Sequence, residues 1–202
     1  MRKESGREGL GLLLDRAEIV EVVTRVATLA DARDWGALRS LFADEVELDH
    51  TSLEGGEPEA VRADDLVEAW RKTFSGFDAT QHVLGNHLVR VCGDEATCTA
   101  YVRTCTAYVR ASHYLVNYQG GDAWTFGGHY DYGLERMSRG WKVAKSKLTV
   151  LWAEGNRFLP HLAKRRCEEG LANPESRRGE RQGGTSPMAR THGVWSNIQA
   201  GD

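Results

Sequence analysis

The sequence predicts an α+β fold, in which three N-terminal helices pack on one side of a strongly bent antiparallel sheet to make a cone. Three observations predict it. Apolar residues recur at helical spacing through the early part of the 202-residue chain. From Thr80 the apolar period changes to two and stays near two as far as Trp152. Helices and strands are therefore segregated along the chain, which argues against a doubly wound parallel sheet.

The elements follow in order. Residues 1–13 are expected to be a flexible lead, and the domain to run over 14–158. Asp15 with Glu18 has the form of an N-terminal capping box, and Ile19, Val22, Val23, Val26 and Ala30 continue it as an amphipathic helix. Asp31 falls at the edge of that apolar stripe, so its carboxylate points toward whatever the helix covers. Asp34 is placed to cap a second helix carrying Trp35, Leu38, Leu41 and Phe42. Val46 to His50 alternates as a short strand with Val46, Leu48 and His50 on one face. Thr51 to Ala63, with Gly55, Gly56 and Pro58, reads as a loop, and Asp64 or Asp65 opens a third helix with Leu66, Val67, Trp70 and Phe74.

Long strands are expected from Gln81 to Val91, Thr97 to Ala111, Trp124 to Met137 and Trp141 to Trp152, with Cys92–Glu95 and Ser138–Gly140 as tight turns. The glycine pairs Gly120–Gly121 and Gly127–Gly128 do not join a strand to a helix, so they read as turn or bulge glycines and not as phosphate loops. A short helix over 159–171 and a mostly disordered, Gly-, Arg- and Ser-rich tail over 172–202 complete the chain.

Composition excludes several function classes. A formal charge of -3, with both signs interspersed, asks for neither nucleic acid nor an anionic membrane. The apolar run Leu10–Leu14 is too short for a secretory signal, and no stretch approaches a membrane span, so a cytoplasmic protein is expected. Cys92, Cys98, Cys105 and Cys167 lack zinc spacing and read as free thiols. No metal and no cofactor is expected.

The chemistry gathers around Asp78 to His87, which sets His82 and His87 at the start of the first long strand. Histidine suits proton abstraction near neutral pH, and a carboxylate on its other nitrogen fixes the tautomer and stabilises the imidazolium. Asp31 is the carboxylate that could serve His82; the bland alternative is a hydrogen-bonded core histidine and a helix-end aspartate. His87, five residues on, faces the opposite way along a regular strand and reads as a surface or interface residue. His50 is either a pocket donor or a strand-end surface residue. Trp70, Phe74, Trp124, Phe126, Tyr130 and Tyr132 offer aromatic surface for core or substrate, and Lys142, Lys145 and Lys147 read as a solvated strand face.

Asp31-Ala32-Arg33-Asp34-Trp35, Leu41-Phe42-Ala43-Asp44, Val46-Glu47-Leu48-Asp49, Thr80-Gln81-His82, Gly85-Asn86-His87, Gly140-Trp141-Lys142 and Leu148-Thr149-Val150-Leu151-Trp152 together resemble the SnoaL-like branch of the nuclear transport factor 2-like (NTF2-like) superfamily, over Leu14 to Asn156. Its active-site positions are most similar to those of scytalone dehydratase and hexachlorocyclohexane dehydrochlorinase, cofactor-free lyases with an Asp-His dyad. The resemblance implies Asp31 and His82 as the catalytic pair. Against scytalone dehydratase, a tyrosine becomes Ala30, a second tyrosine becomes His50, a second histidine falls near Thr106 and a pocket asparagine falls near Asp131. His50, Trp70, Thr106, Tyr130 and Asp131 are the residues expected to meet substrate. The expected function is a dehydratase-like lyase acting on an apolar, cyclic or polyketide-like metabolite. A polyketide cyclase, an epoxide hydrolase and a non-catalytic binding or assembly protein are the alternatives on the same scaffold. A homo-oligomer is implied, with a trimer ahead of a dimer.

Overall fold

The computed structural model of the chain describes residues 2–106 and 123–169. Helix α1 (Arg2–Ala32) buries Ile19, Val22, Val23, Val26 and Ala30 against the sheet, as their spacing requires. It starts upstream of Asp15, so the lead over 1–13 is helical from Arg2 and not the flexible segment expected. Asp15 and Glu18 are consequently not a cap. The Asp15 carboxylate accepts from Arg136 Nη2 (2.7 Å) and Trp141 Nε1 (3.2 Å), and Glu18 accepts from the Trp141 backbone N–H (3.0 Å). Two carboxylates at this spacing serve a neighbouring hairpin as well as they would serve a helix end.

Arg33, at φ 59°, turns the chain out of α1, and Asp34 Oδ1 accepts from Ala37 N–H (3.0 Å) to cap α2 (Trp35–Arg39). Strand β1 (Phe42–Asp49) ends one residue short of His50. The expected loop after it holds a short helix α3 (Thr51–Glu54) and a strand β2 (Glu59–Arg62) that pairs antiparallel with β1. Then come α4 (Ala63–Ser75), β3 (Thr80–Cys92), β4 (Glu95–Thr106), β5 (Trp124–Met137), β6 (Gly140–Gly155) and α5 (Leu159–Glu168). Residues 107–111 of the expected second long strand, the pair Gly120–Gly121 and the tail 172–202 lie outside the described residues.

The sheet has six strands in the order β2-β1-β6-β5-β4-β3. β1 runs parallel to β6, so the sheet is mixed and not wholly antiparallel as expected; the long path from β1 back to β6 permits the parallel pairing that a hairpin cannot make. Register shifts bend it. β3 carries one extra residue between Gly85 and Leu88, with Asn86 at φ 53°, and β6 carries one opposite Gly127–Gly128 and one opposite Gly133–Leu134.

The registers define the inner, helix-covered face as rows running across the strands. From the closed end they are Val89–Cys98–Tyr132–Ser146–Leu48, then Ala100–Tyr130–Leu148, then Leu84–Val102–Gly128–Val150, then the row that holds His82, Phe126 and Ala153. One apolar cluster fills the closed end around Ile19, Leu38, Val46, Leu134, Trp141 and Val143. A second, around Phe77, Val102, Trp124, Phe126, Leu148, Leu159 and Ala163, fills the other end beneath α5. No helix among the described residues is long and apolar enough to cross a membrane.

Candidate active site

Asp31 comes from the last turn of α1 and His82 from the start of β3. His82 Nδ1 and Asp31 Oδ1 lie 2.7 Å apart, and Asp31 Oδ2 accepts from the His82 backbone N–H, also at 2.7 Å. Both carboxylate oxygens therefore serve one residue, which fixes the imidazole in position as well as in tautomer. An ionised carboxylate only accepts, so Nδ1 carries the proton and Nε2 presents its lone pair. Burial raises the pKa of Asp31, but the hydrogen bond and charge of the His82 ring, its backbone N–H and the nearby Thr80 hydroxyl outweigh that and hold it below the ordinary value. The side chains of His82 and Asp31 are 10% and 18% exposed, so the pair is nearly dry yet reachable.

Helix α4 backs the site with two aromatics one turn apart. Phe74 stacks on the His82 ring (centroids 6.0 Å, planes 14° apart), and Trp70 stacks on the His50 ring (6.2 Å, 12°). Residues i and i+4 lie above one another on a helix, so the two histidines are held side by side along α4. His50 Nε2 lies 3.4 Å from the hydroxyl of the fully buried Ser146, and Tyr130 packs at 6.1 Å from the same ring. Burial pushes the His50 imidazolium down to about 4. His50 is thus the inward of the two positions open to it from sequence, and it is neutral near neutral pH. Tyr130 in turn stacks on the buried Tyr132 at 5.2 Å.

Of the expected substrate contacts, His50, Trp70 and Tyr130 come together here. Thr106 ends β4 opposite Thr80, and its side chain lies outside the described part of the structure. Asp131 is elsewhere. Neighbours on a strand face opposite ways, and Asp131 follows the inward Tyr130, so it lies on the outer face with Thr99, Lys147 and Asp49. There it accepts from Thr99 Oγ1 (2.7 Å), lies 3.5 Å from His129 Nε2 and sits within the field of Lys147.

The expectation for His87 is also reversed. The extra residue in β3 flips the alternation, so His87 turns to the helix-covered face, where Nε2 lies 3.5 Å from Thr24 Oγ1 of α1. Burial lowers its pKa. Among the described residues no group of His, Cys, Asp and Glu is arranged to hold a metal ion. Cys92, Cys98 and Cys167 are free, and Cys98 is buried beside Tyr132, its thiol pushed up to about 11. Ser146 is the site residue that sequence periodicity misses, because Val143 is inward and the extra residue that follows shifts the phase of β6.

Comparison with known proteins places the fold. The SnoaL-like domain family matches residues 12–147. No curated protein matches the chain in sequence. The crystal structure of the Kfla4162 protein from Kribbella flavida is 34% identical, with a TM-score of 0.68, covering 74% of this chain and 99% of its own. A candidate scytalone dehydratase from Novosphingobium aromaticivorans is 15% identical, with a TM-score of 0.59 over 71% of this chain and 89% of its own. A hexachlorocyclohexane dehydrochlorinase from Novosphingobium barchaimii is 20% identical, with a TM-score of 0.56 over 73% of this chain and 94% of its own. At those two identities the likeness speaks for the fold. With its sheet, its helices and the family match over most of its length, the chain belongs to the SnoaL-like family of the NTF2-like superfamily.

Proposed function

We propose that the protein is a cofactor-independent lyase that uses His82 as general base and Asp31 as its orienting carboxylate. The observation that carries this reading is the double contact of Asp31 with the His82 ring and backbone, which leaves Nε2 as a lone-pair donor. Nε2 takes a proton from a carbon next to an activating group. The C–H electron pair becomes the new π bond, and a hydroxide or halide on the neighbouring carbon leaves with its own bonding pair. General base help accounts for roughly 10²- to 10⁴-fold. The remainder requires stabilisation of enolate-like charge, for which the neutral His50 ring, with Ser146, is the polar group at hand. Trp70, Phe74 and Tyr130 suit an apolar cyclic substrate. Relatives of this fold that are named as a scytalone dehydratase and a dehydrochlorinase favour elimination over isomerisation, cyclisation or epoxide hydrolysis.

The test is proton NMR in deuterated buffer with a panel of cyclic β-hydroxy ketones and chlorinated cyclohexanes. The expected result is loss of water or halide, or deuterium incorporation at the acidic carbon, that disappears in His82→Ala. Exchange that survives in that variant, or its absence with every compound in the panel, overturns the base assignment and favours a binding protein.

We also propose that the protein works as a homo-oligomer, a trimer ahead of a dimer. Val83, Leu88 and Tyr101 on the outer sheet face are 55%, 69% and 54% exposed, and covering them would remove large apolar side chains from water. Light scattering that returns a monomer mass at micromolar concentration would rule this out.

A further inference from the structure

Helix α1 ends in a form that favours glycine, and the chain has arginine there. Asp34 N–H returns to the Leu29 carbonyl (3.0 Å) and Arg33 N–H to the Ala30 carbonyl (3.1 Å), the paired bonds of a Schellman motif. Arg33 holds the left-handed position of that motif at φ 59°. Glycine takes this conformation at no steric cost and asparagine at little; among the described residues Asn86 is the other non-glycine with positive φ. A long side chain kept there against a backbone cost calls for a compensating contact made by that side chain. Arg33 Nη2 donates to the Phe77 carbonyl at 2.7 Å and lies 3.5 Å from the Asp78 carbonyl, and the Asp78 charge favours the guanidinium that burial disfavours. Phe77 and Asp78 belong to the connection between α4 and β3. The bond therefore spans the two segments that carry the dyad, two residues after Asp31 and five before His82. It also reaches the His82 ring through packing. The buried Phe77 ring meets Phe74 edge-on (6.3 Å, 85°), and Phe74 stacks on His82 (6.0 Å, 14°). Arg166 donates to the Gly76 carbonyl and to Asp78 Oδ1 from α5, so it ties the same connection to α5, whereas Arg33 fastens it to the end of α1.

We infer that Arg33 is a positioning residue for the proposed proton transfer: by fastening the Phe77 carbonyl to the end of α1, it holds Asp31 and His82 in the one register in which the carboxylate meets both ring and backbone. This rests on the lyase reading and adds to it a residue that acts through Asp31 and His82. Asp31 stands in the last turn of α1, where a helix frays, and its two bonds to His82 must hold that end against β3. The guanidinium bond shares that task from outside the dyad. Without it the carboxylate follows the fraying helix end, and the imidazole loses its fixed partner and with it its fixed tautomer.

The experiment uses the full chain with ¹⁵N-labelled histidine and reads the state of the His82 ring by NMR, not turnover. Spectra are taken at mildly alkaline pH so that imidazole rings are neutral, and the His82 signals are assigned by their loss in His82→Ala. In the parent, His82 is expected to be a single Nδ1–H tautomer whose ring proton exchanges slowly with water. Arg33→Gly and Arg33→Asn both suit the left-handed backbone and both remove the guanidinium. A role in the turn alone therefore predicts unchanged His82 signals and an equal or higher melting temperature. Positioning predicts that the two ring nitrogen shifts move toward each other as tautomers mix, and that the ring proton exchanges roughly tenfold faster. Arg33→Lys keeps the backbone cost and one donor group, and is expected to fall between the parent and Arg33→Gly. Parent-like His82 signals in Arg33→Gly or Arg33→Asn overturn the inference, as does a departure in Arg33→Lys as large as that in Arg33→Gly. Failure of both Arg33→Gly and Arg33→Asn to fold would make Arg33 a structural residue and overturn it too. Mixed tautomers in the parent remove the dyad reading itself, whereas an ordered parent ring indifferent to Arg33 leaves the base assignment standing, so the two proposals fail separately.

Discussion

His82 meets Asp31 twice, through its ring Nδ1 and through its backbone N–H, each at 2.7 Å. A histidine held only through its ring could swing about its side-chain torsions, whereas here the carboxylate bridges ring and backbone and leaves one orientation. Asp31→Asn presents an amide in place of the carboxylate, so it can no longer accept at both oxygens or offset an imidazolium. If the lyase reading holds, Asp31→Asn and His82→Ala each lower turnover by about 10²- to 10⁴-fold. Thermal unfolding is expected to shift by only a few degrees, because neither change opens a cavity in the main core. Steady-state rates and melting curves on the two variants check this.

His50 gives a pH signature independent of activity. Its folded pKa is lowered to about 4 by burial, while in the unfolded chain it titrates near 6.5. Between these values the unfolded state holds a proton that the folded state does not, so stability is full above about pH 6.5 and falls as pH drops toward 4. The loss from this one group by pH 4 is on the order of 3 kcal/mol. Asp31, whose pKa is lowered, adds its own loss only below the usual carboxylate range, so the two windows separate. Urea unfolding at a series of pH values is expected to give a shallower slope between pH 6.5 and 4 for His50→Gln.

The part of the site that sequence makes legible is the part built on regular elements. Asp31 follows from the phase of an unbroken helix, and His82 from the first residues of β3, ahead of any bulge. His87 and Ser146 are illegible for one reason: each lies just after an extra strand residue, and a single extra residue exchanges the two faces of everything that follows. The long strands are legible from period two, but the parallel pairing of β1 with β6 depends on contacts between distant segments that no local pattern encodes. The short β2 hides in a stretch whose glycines and proline signal a turn, because pairing with β1, and not its own propensity, makes it a strand.

The outer position of Asp131 makes a negative prediction. Its partners Thr99 and His129 and its neighbour Lys147 all lie on the face away from His82. Asp131→Asn is therefore expected to leave turnover within about twofold, while its cost in stability stays near the 0–1 kcal/mol of an exposed ion pair. Ser146→Ala, which strips the buried hydroxyl beside His50, is expected to lower turnover more than Asp131→Asn does. A larger effect from Asp131→Asn than from Ser146→Ala, measured on one substrate, would contradict the placement of the two residues.

The docking of α5 hinges on one glycine. A Cβ on Gly76 would stand 1.9 Å from the Ala163 carbonyl oxygen, a backbone atom that no side-chain rotation can move. Gly76 has an ordinary φ of -81°, so Gly76→Ala would cost nothing in backbone conformation and its whole effect would come from this contact. Arg166 Nη1 donates to the Gly76 carbonyl (3.3 Å) and to Asp78 Oδ1 (2.8 Å), and both bonds depend on the same close approach. Pushing α5 away exposes Leu159 and Ala163 and opens the apolar cluster that holds Trp124 and Phe126. Gly76→Ala is expected to destabilise the protein by roughly 2 kcal/mol or more, as overpacking against a rigid neighbour does. It should also speed proteolytic cleavage around Arg157 relative to the parent. Arg166→Ala, which removes the two bonds and leaves the packing, is expected to have a smaller effect in both measurements. Equal stability of Gly76→Ala and the parent would mean that α5 does not sit against α4 in solution.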